Sequence, residues 1–171
     1  MPASHAAPAP SSGHRAEQRQ MTKHHHYARL LVMTALSFGA MYFLMYAMVE
    51  RFDSYYNNMN QAYMAGLMAA AMVVIELAVM GAMYQNRTLN AAIIALSVAA
   101  LVACWVLIRE QGGIGDRQFL RSMIPHHSGA ILMCERAGIQ EPEIRELCQT
   151  IIKSQADEIA QMKSKLSALG G

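Results

Sequence analysis

Charged residues are scarce in this sequence, which also contains only three cysteines and one tryptophan. Charged residues make up 15% of the 171 residues, whereas soluble domains average about 25%. Apolar residues make up 54%, which excludes an ordinary soluble domain and also a largely disordered chain. The formal net charge of +2 gives no strong positive field for nucleic acid. The sequence contains no phosphate-binding loop, nucleophile triad or basic nucleic-acid patch, so it indicates no nucleic-acid partner and no recognisable catalytic class.

Three long apolar runs predict helices that span a membrane. They cover residues 30–49, 62–84 and 89–108, and Glu76 is the one charged residue within them. A spanning helix needs about 20 apolar residues, a length that each run reaches. The chain is therefore predicted to be an integral protein of an inner or plasma membrane, with the lipid bilayer as a partner. Residues 30–108 form the predicted membrane region.

The N-terminal tail, residues 1–29, is rich in proline, alanine, serine and histidine and carries several basic residues. A segment of this composition cannot bury a core, so we predict that it is disordered. His24, His25 and His26 are adjacent in it. They form either a metal-binding cluster or part of a solvated tail, and the composition does not decide between the two.

The orientation in the membrane is predicted from the basic residues near the spans. Arginine and lysine before the first span predict a cytoplasmic N-terminus, and three spans then leave the C-terminal segment outside the cytoplasm. Arg109, Arg117 and Arg121 follow the third span and favour the opposite orientation. A folded segment of this length can be translocated despite its charges, so we predict an extracytoplasmic C-terminal segment.

A linker at residues 109–115 leads to two amphipathic helices within residues 116–169. Apolar residues at three-and-four spacing include Ile124 in the first helix and Leu147 in the second. The short connection predicts an antiparallel helical hairpin. Two helices bury little surface by themselves. The hairpin is therefore predicted either to pair with a second copy in a four-helix bundle or to pack against the membrane helices.

The first helix of the hairpin collects imidazole, thioether and thiol groups along one side. Met123 lies three and four residues before His126 and His127, and Met133 lies two turns beyond His126. Soft sulfur ligands combined with imidazole suit Cu(I) and, by the same softness, Ag(I). Folding the hairpin about residue 140 brings its second helix alongside. The predicted metal ligands are Met123, His126, His127, Met133 and Met162.

Four further residues of the hairpin accompany this predicted site. Gln155 and Glu158 are predicted to orient the imidazoles. Cys134 and Cys148 come close in the folded hairpin, and three interpretations stay open: a disulfide, a pair of metal thiolates, or small buried apolar residues. The methionines and histidines also have an ordinary interpretation, as core filler and as hydrogen-bonded core residues.

The second span carries a candidate intramembrane site at Met72, Glu76 and Met80, which recur every four residues. An ionisable residue within a span is by default a functional-site hypothesis, and thioethers beside a carboxylate could pass a soft cation. The alternative is that the methionines fill space while Glu76 pairs with Tyr42, Tyr46 or another subunit.

A resemblance to the domain-of-unknown-function family 305 covers residues 116–167. It is carried by FLRSMIPHHSGAILMCERA and EPEIRELCQTIIKSQADEIAQMKSKL, in which MIPHH, GAI, the following Met and Q-x-x-EI-x-x-M stand in order at family spacing. The resemblance implies a ferritin-like helical domain. It also implies copper or silver binding outside the cytoplasm, as in some members. The three spans resemble a membrane-anchored arrangement found in part of that family, which has no agreed activity.

The predicted fold is therefore all-α, with three transmembrane helices followed by a ferritin-like hairpin that self-associates into a homo-oligomer. No di-iron site is expected, because such sites use Glu-x-x-His motifs and the sequence contains none. The leading hypothesis is a membrane-anchored protein that binds copper or silver in metal tolerance or hand-over. The alternative is a structural, oligomerising membrane protein without metal. A redox enzyme using the same site is the third hypothesis, and no catalytic residues are assigned.

Overall fold

The computed structural model describes residues 12–170, with side chains from residue 25 onward. This part of the chain contains five α-helices and no strand, which confirms the all-α prediction. Two 3₁₀ turns, Met45–Met48 and Phe52–Ser54, lie between the first two helices. The helices are α1 (Ser12–Leu44), α2 (Met59–Val79), α3 (Arg87–Arg109), α4 (Asp116–Arg136) and α5 (Pro142–Ala168).

The first helix begins well before the predicted span, at Ser12. Residues 12–29 are thus helical, in a segment for which composition predicts disorder; residues 1–11 of the predicted tail lie outside the described residues. The physical reason is local, because residues 15–23 are mostly strong helix formers such as arginine, alanine, glutamate and glutamine.

Three helical segments are long and apolar enough to cross a membrane, as predicted. They are His25–Met48, Met59–Val79 and Arg87–Arg109. The second segment lies a few residues earlier than the predicted 62–84. Its start is fixed by Asn58, whose side chain accepts a hydrogen bond from the backbone amide of Gln61. The same kind of cap, from Asn86, begins the third segment.

The second spanning helix lies between the other two and packs against both. Its buried positions are mainly small: Ala65, Ala69 and Ala70 have little or no exposed surface. A Cβ atom added at Gly66 would lie 3.1 Å from the Cys104 sulfur on α3. Small side chains allow such close helix approach, which favours association of helices in lipid.

The hairpin of α4 and α5 has its own apolar core between the two helices. Ile124 has no exposed surface at its centre, and Tyr56 from outside the hairpin packs against the same cluster. The cluster is formed by Leu120, Ile124, Ile131, Ile159, Met162 and Leu166. The predicted antiparallel hairpin is therefore present, with most of its apolar stripe turned inward.

The hairpin docks on the loop at residues 45–58, which we call the connecting loop because it joins α1 to α2. Three spans bring this loop and α4 to the same membrane face. The Glu50 amide donates to the Ser128 hydroxyl oxygen at 2.9 Å. Lys163 pairs with Asp53 at 3.0 Å. The hairpin thus packs against the membrane region, which is one of its two predicted partners. Pairing with a second copy of the chain stays a prediction.

Two further contacts bring α4 close to the ends of the spanning helices. Gln118 accepts a hydrogen bond from the Met59 amide at 3.1 Å, which satisfies one of the free amides at the start of α2. On the other side, a Cβ atom added at Gly129 would lie 3.2 Å from the carbonyl oxygen of Met48. The absence of a side chain at Gly129 therefore permits this close approach.

Candidate functional site

A cavity of about 520 Å³ lies where α4 meets the connecting loop and the start of α2. We call it the junction cavity. Five methionines and one histidine line it. Three of these residues belong to α4 and to the predicted ligand set: Met123, His126 and Met133. The others come from the membrane region: Met45, Met48 and Met64.

Four of the six sulfur and imidazole side chains at the junction cavity are exposed, whereas Met45 is partly buried and Met123 is partly buried and packs against the hairpin core. His126 is exposed, and Met133, Met48 and Met64 have exposed fractions of 53%, 51% and 41%. A methionine that only fills a core would be buried instead. Thioether together with imidazole is a donor set that selects soft ions such as Cu(I).

His127 occupies a different environment from its neighbour His126. It is buried, and its two ring nitrogens face acceptors. Nδ1 lies 2.9 Å from the Met123 carbonyl oxygen, and Nε2 lies 2.7 Å from a Glu158 carboxylate oxygen. His127 is not among the residues that line the junction cavity. Its contact with Glu158 links α4 to α5.

The Glu158 carboxylate contacts the imidazole of His127. The sequence predicts that Glu158 orients the imidazoles, and His127 is the one that it contacts. The Ser154 hydroxyl donates to its other carboxylate oxygen at 2.8 Å. The bonds from Ser154 and His127 hold the pKa of Glu158 below its ordinary value of 4.5. Gln155 is partly buried on the same helix.

This lowered pKa predicts a pH dependence of hairpin stability. A carboxyl group with a lower pKa in the folded state stabilises the fold above its unfolded pKa, and that stabilisation disappears as the pH falls through the folded pKa. We expect the wild-type hairpin to lose stability below about pH 4.5, the ordinary value, and Glu158→Gln to lose less over that range. Hydrogen exchange of α4 and α5 amides across this range measures the difference. The control is Glu135→Gln, at an exposed position of α4; equal acid sensitivity of wild type and Glu158→Gln would contradict the prediction.

Met162 lies apart from the junction cavity. It is buried in the apolar core between α4 and α5, with 9% of its surface exposed. The five predicted ligands are thus divided by the fold. Met123, His126 and Met133 line one cavity, whereas His127 and Met162 lie on the face of the hairpin where its two helices meet.

Cys134 and Cys148 form a disulfide, one of the three interpretations left open by the sequence. Their Cα atoms are 5.2 Å apart, and the bond joins the end of α4 to the first turns of α5. Cys134 follows Met133 in the chain, so the disulfide holds the end of α4, the helix that lines the junction cavity.

Glu76 lies close to the end of α2 that is remote from the hairpin. It accepts a hydrogen bond from the Tyr84 hydroxyl at 3.3 Å, not from the predicted partners Tyr42 or Tyr46. Met80 caps the end of this helix, one turn beyond Glu76, and Met72 lies one turn before it. Because Tyr84 follows α2 in the loop to α3, Glu76 has a local polar partner.

The ligand set predicted from the sequence does not include the three methionines of the membrane region that line the junction cavity. Met45 and Met48 come from the end of the first span, and Met64 comes from the start of the second. The available signal was topological. Three spans bring the first connection and the hairpin to the same face of the membrane, so sulfur-bearing residues at those span ends could have been considered as ligands.

Within residues 25–170, no three histidine, cysteine, aspartate or glutamate side chains are grouped to hold a metal. The sulfur and imidazole groups that line the junction cavity are five thioethers and one imidazole.

Two comparisons with known proteins bear on this chain. The sequence profile of a family described as "Domain of unknown function (DUF305)" matches residues 103–166, which contain α4 and nearly all of α5. An uncharacterized protein of Acanthamoeba polyphaga mimivirus is 35% identical over 111 residues, covering 64% of this chain and 71% of that protein. No solved structure matches the chain.

Proposed function

This chain belongs to the DUF305 family, and we propose that it is a membrane protein that binds a soft metal ion, Cu(I) or Ag(I), as cargo. The proposed role is metal tolerance, by sequestering the ion or handing it over to another protein. The membrane association follows from three helical segments of spanning length.

The junction cavity is the observation that carries this proposal. It collects His126 with the Met123 and Met133 thioethers on one helix; His126 and Met133 are exposed, and Met123 is partly buried. Thioethers bind soft ions and are poor ligands for the hard ions that prefer oxygen. An oligomerising module would need the same residues only as packing, and packing requires apolar surface rather than an imidazole among thioethers.

We place the hairpin outside the cytoplasm in this proposal. The Cys134–Cys148 disulfide supports that side, because disulfides persist in oxidising compartments. The basic residues before the first span support it as well, through their preference for the cytoplasm. An extracytoplasmic site would intercept the ion before it enters the cell.

An anaerobic Cu(I) titration of the full-length chain in detergent, against a competing chelator, tests the proposed function. We expect the wild type to bind Cu(I), and His126→Ala/Met133→Leu to bind it at least about tenfold more weakly, because even outer-shell changes cost about 10–100-fold. The matched control is His25→Ala/His26→Ala, which removes two histidines far from the junction cavity and should leave the affinity unchanged.

Two results would overturn the proposal in different ways. If the wild type binds no Cu(I) while circular dichroism shows its helices intact, the hairpin is a structural module without metal. If His25→Ala/His26→Ala loses Cu(I) binding and His126→Ala/Met133→Leu keeps it, the ion is bound by the N-terminal histidines instead.

A further inference from the structure

We propose that the soft-metal site is shared between the hairpin and the membrane region, with Met45, Met48 and Met64 as ligands opposite the α4 residues. This inference rests on the proposed function and extends it. The α4 wall of the junction cavity carries the imidazole and two thioethers, and the opposite wall carries three thioethers. The two walls come from parts of the chain that only the docked arrangement brings together.

The chemistry of the whole lining is that of a site for a soft monovalent cation. No aspartate, glutamate, lysine or arginine is among the residues that line the junction cavity. Divalent and hard cations usually need carboxylates, whereas neutral thioethers suffice for Cu(I) or Ag(I). The remaining polar lining groups are neutral amides and hydroxyls, from Asn58, Asn60, Gln61, Tyr46 and Ser122.

The thioethers of the membrane wall lie on side chains that can adopt other rotamers and so reach toward an ion. Met48 and Met64 are about half-exposed, and Met45 is partly buried. A methionine side chain has three rotatable bonds, so its sulfur can change position while the backbone stays in place. A cavity of about 520 Å³ is wide for one ion, and convergence of these flexible side chains would narrow it.

The backbone of the two walls is held in register by the docking contacts. The Glu50 amide bonds to Ser128, one residue before Gly129, and Gly129 itself lies against the Met48 carbonyl. An ion bound by both walls would therefore stabilise the docked state by mass action, because it binds that state better than the undocked one. Metal binding and hairpin docking are thus expected to be coupled.

The test compares variants of the full-length chain in the anaerobic Cu(I) titration. The first variant is Met45→Leu/Met48→Leu/Met64→Leu, in which leucine keeps nearly the same volume. The matched control is Met33→Leu/Met68→Leu/Met83→Leu, which changes three methionines that do not line the junction cavity. Gly129→Leu is a third variant, which keeps all six proposed ligands and forces α4 away from the Met48 carbonyl.

We expect the membrane-wall variant and Gly129→Leu to bind Cu(I) at least about tenfold more weakly than wild type, and the Met33→Leu/Met68→Leu/Met83→Leu control to bind it unchanged. We also expect added Cu(I) to slow hydrogen exchange of the Glu50 amide in the wild type. If the wild type binds Cu(I) and the membrane-wall variant keeps full affinity, the shared site is refuted while the proposed function stands. If the wild type binds no Cu(I), the proposed function fails and the shared site fails with it.

Discussion

Replacing Ile124 with alanine is expected to lower the free energy of unfolding of the hairpin by about 2–5 kcal/mol. Ile124 has no exposed surface and lies at the centre of the core between α4 and α5. The substitution removes apolar surface from that core and leaves a cavity that the two helices cannot fill by collapsing. Because the hairpin is small, a loss of this size is a large part of its total stability.

Native-state hydrogen exchange of α4 and α5 in detergent measures this change locally, without unfolding the membrane helices. The matched control is Leu147→Ala. Leu147 stands on the predicted apolar stripe of α5 but is 57% exposed, so its loss should change stability by no more than about 0.5 kcal/mol. An equal loss of stability in Ile124→Ala and Leu147→Ala would show that the hairpin core does not lie between α4 and α5.

Removal of the Cys134–Cys148 disulfide is expected to destabilise the hairpin by about 3 kcal/mol, the contribution of a bond that closes a loop of about 15 residues. The sequence separation here is 14 residues. The bond restricts the unfolded chain around the turn between α4 and α5, so its loss lets these ends separate more readily. We expect Cys134→Ser/Cys148→Ser, or the wild type in reductant, to show faster amide exchange at the end of α4.

Cys104→Ser is the matched control, because Cys104 is the free cysteine and belongs to the third spanning helix. It should leave hairpin exchange unchanged, and reductant should still accelerate exchange in this variant.

The oxidation state of Cys134 and Cys148 in cells tests the orientation of the hairpin as well. A hairpin on the extracytoplasmic side should be isolated with its disulfide formed, whereas free thiols at both positions in rapidly quenched cells would place it in the cytoplasm.

Local patterns predicted the helices well because each pattern reflects a local physical requirement. A span of apolar residues must form a helix in lipid, since every backbone group has to be hydrogen-bonded within the segment. Apolar residues at three-and-four spacing predict one buried face, and Ile124 lies on it. Leu147 belongs to the corresponding pattern on α5 but remains exposed. Periodicity identifies the apolar face of a helix without specifying how much of that face the neighbouring helix covers.

Helical spacing determines which residues of the predicted metal site share one helix face, and it determines no more than that. Helical spacing places Met123, His126 and Met133 on neighbouring turns, and the structure has these three at one cavity. The same spacing could not distinguish His126 from His127. Their difference depends on Glu158, a carboxylate 31 residues further along the chain, which bonds to His127.

The sequence alone determined the number of spans, the hairpin and the class of donor groups, because hydrophobic length, helical periodicity and side-chain chemistry are properties of short segments. Only the tertiary structure decided which groups meet. The contact between Glu50 and Ser128 joins residues 78 positions apart. It depends on the path of the connecting loop, which no periodic pattern encodes. That docking brings the Met45, Met48 and Met64 thioethers to the junction cavity, whereas the inter-helix core encloses Met162 away from it.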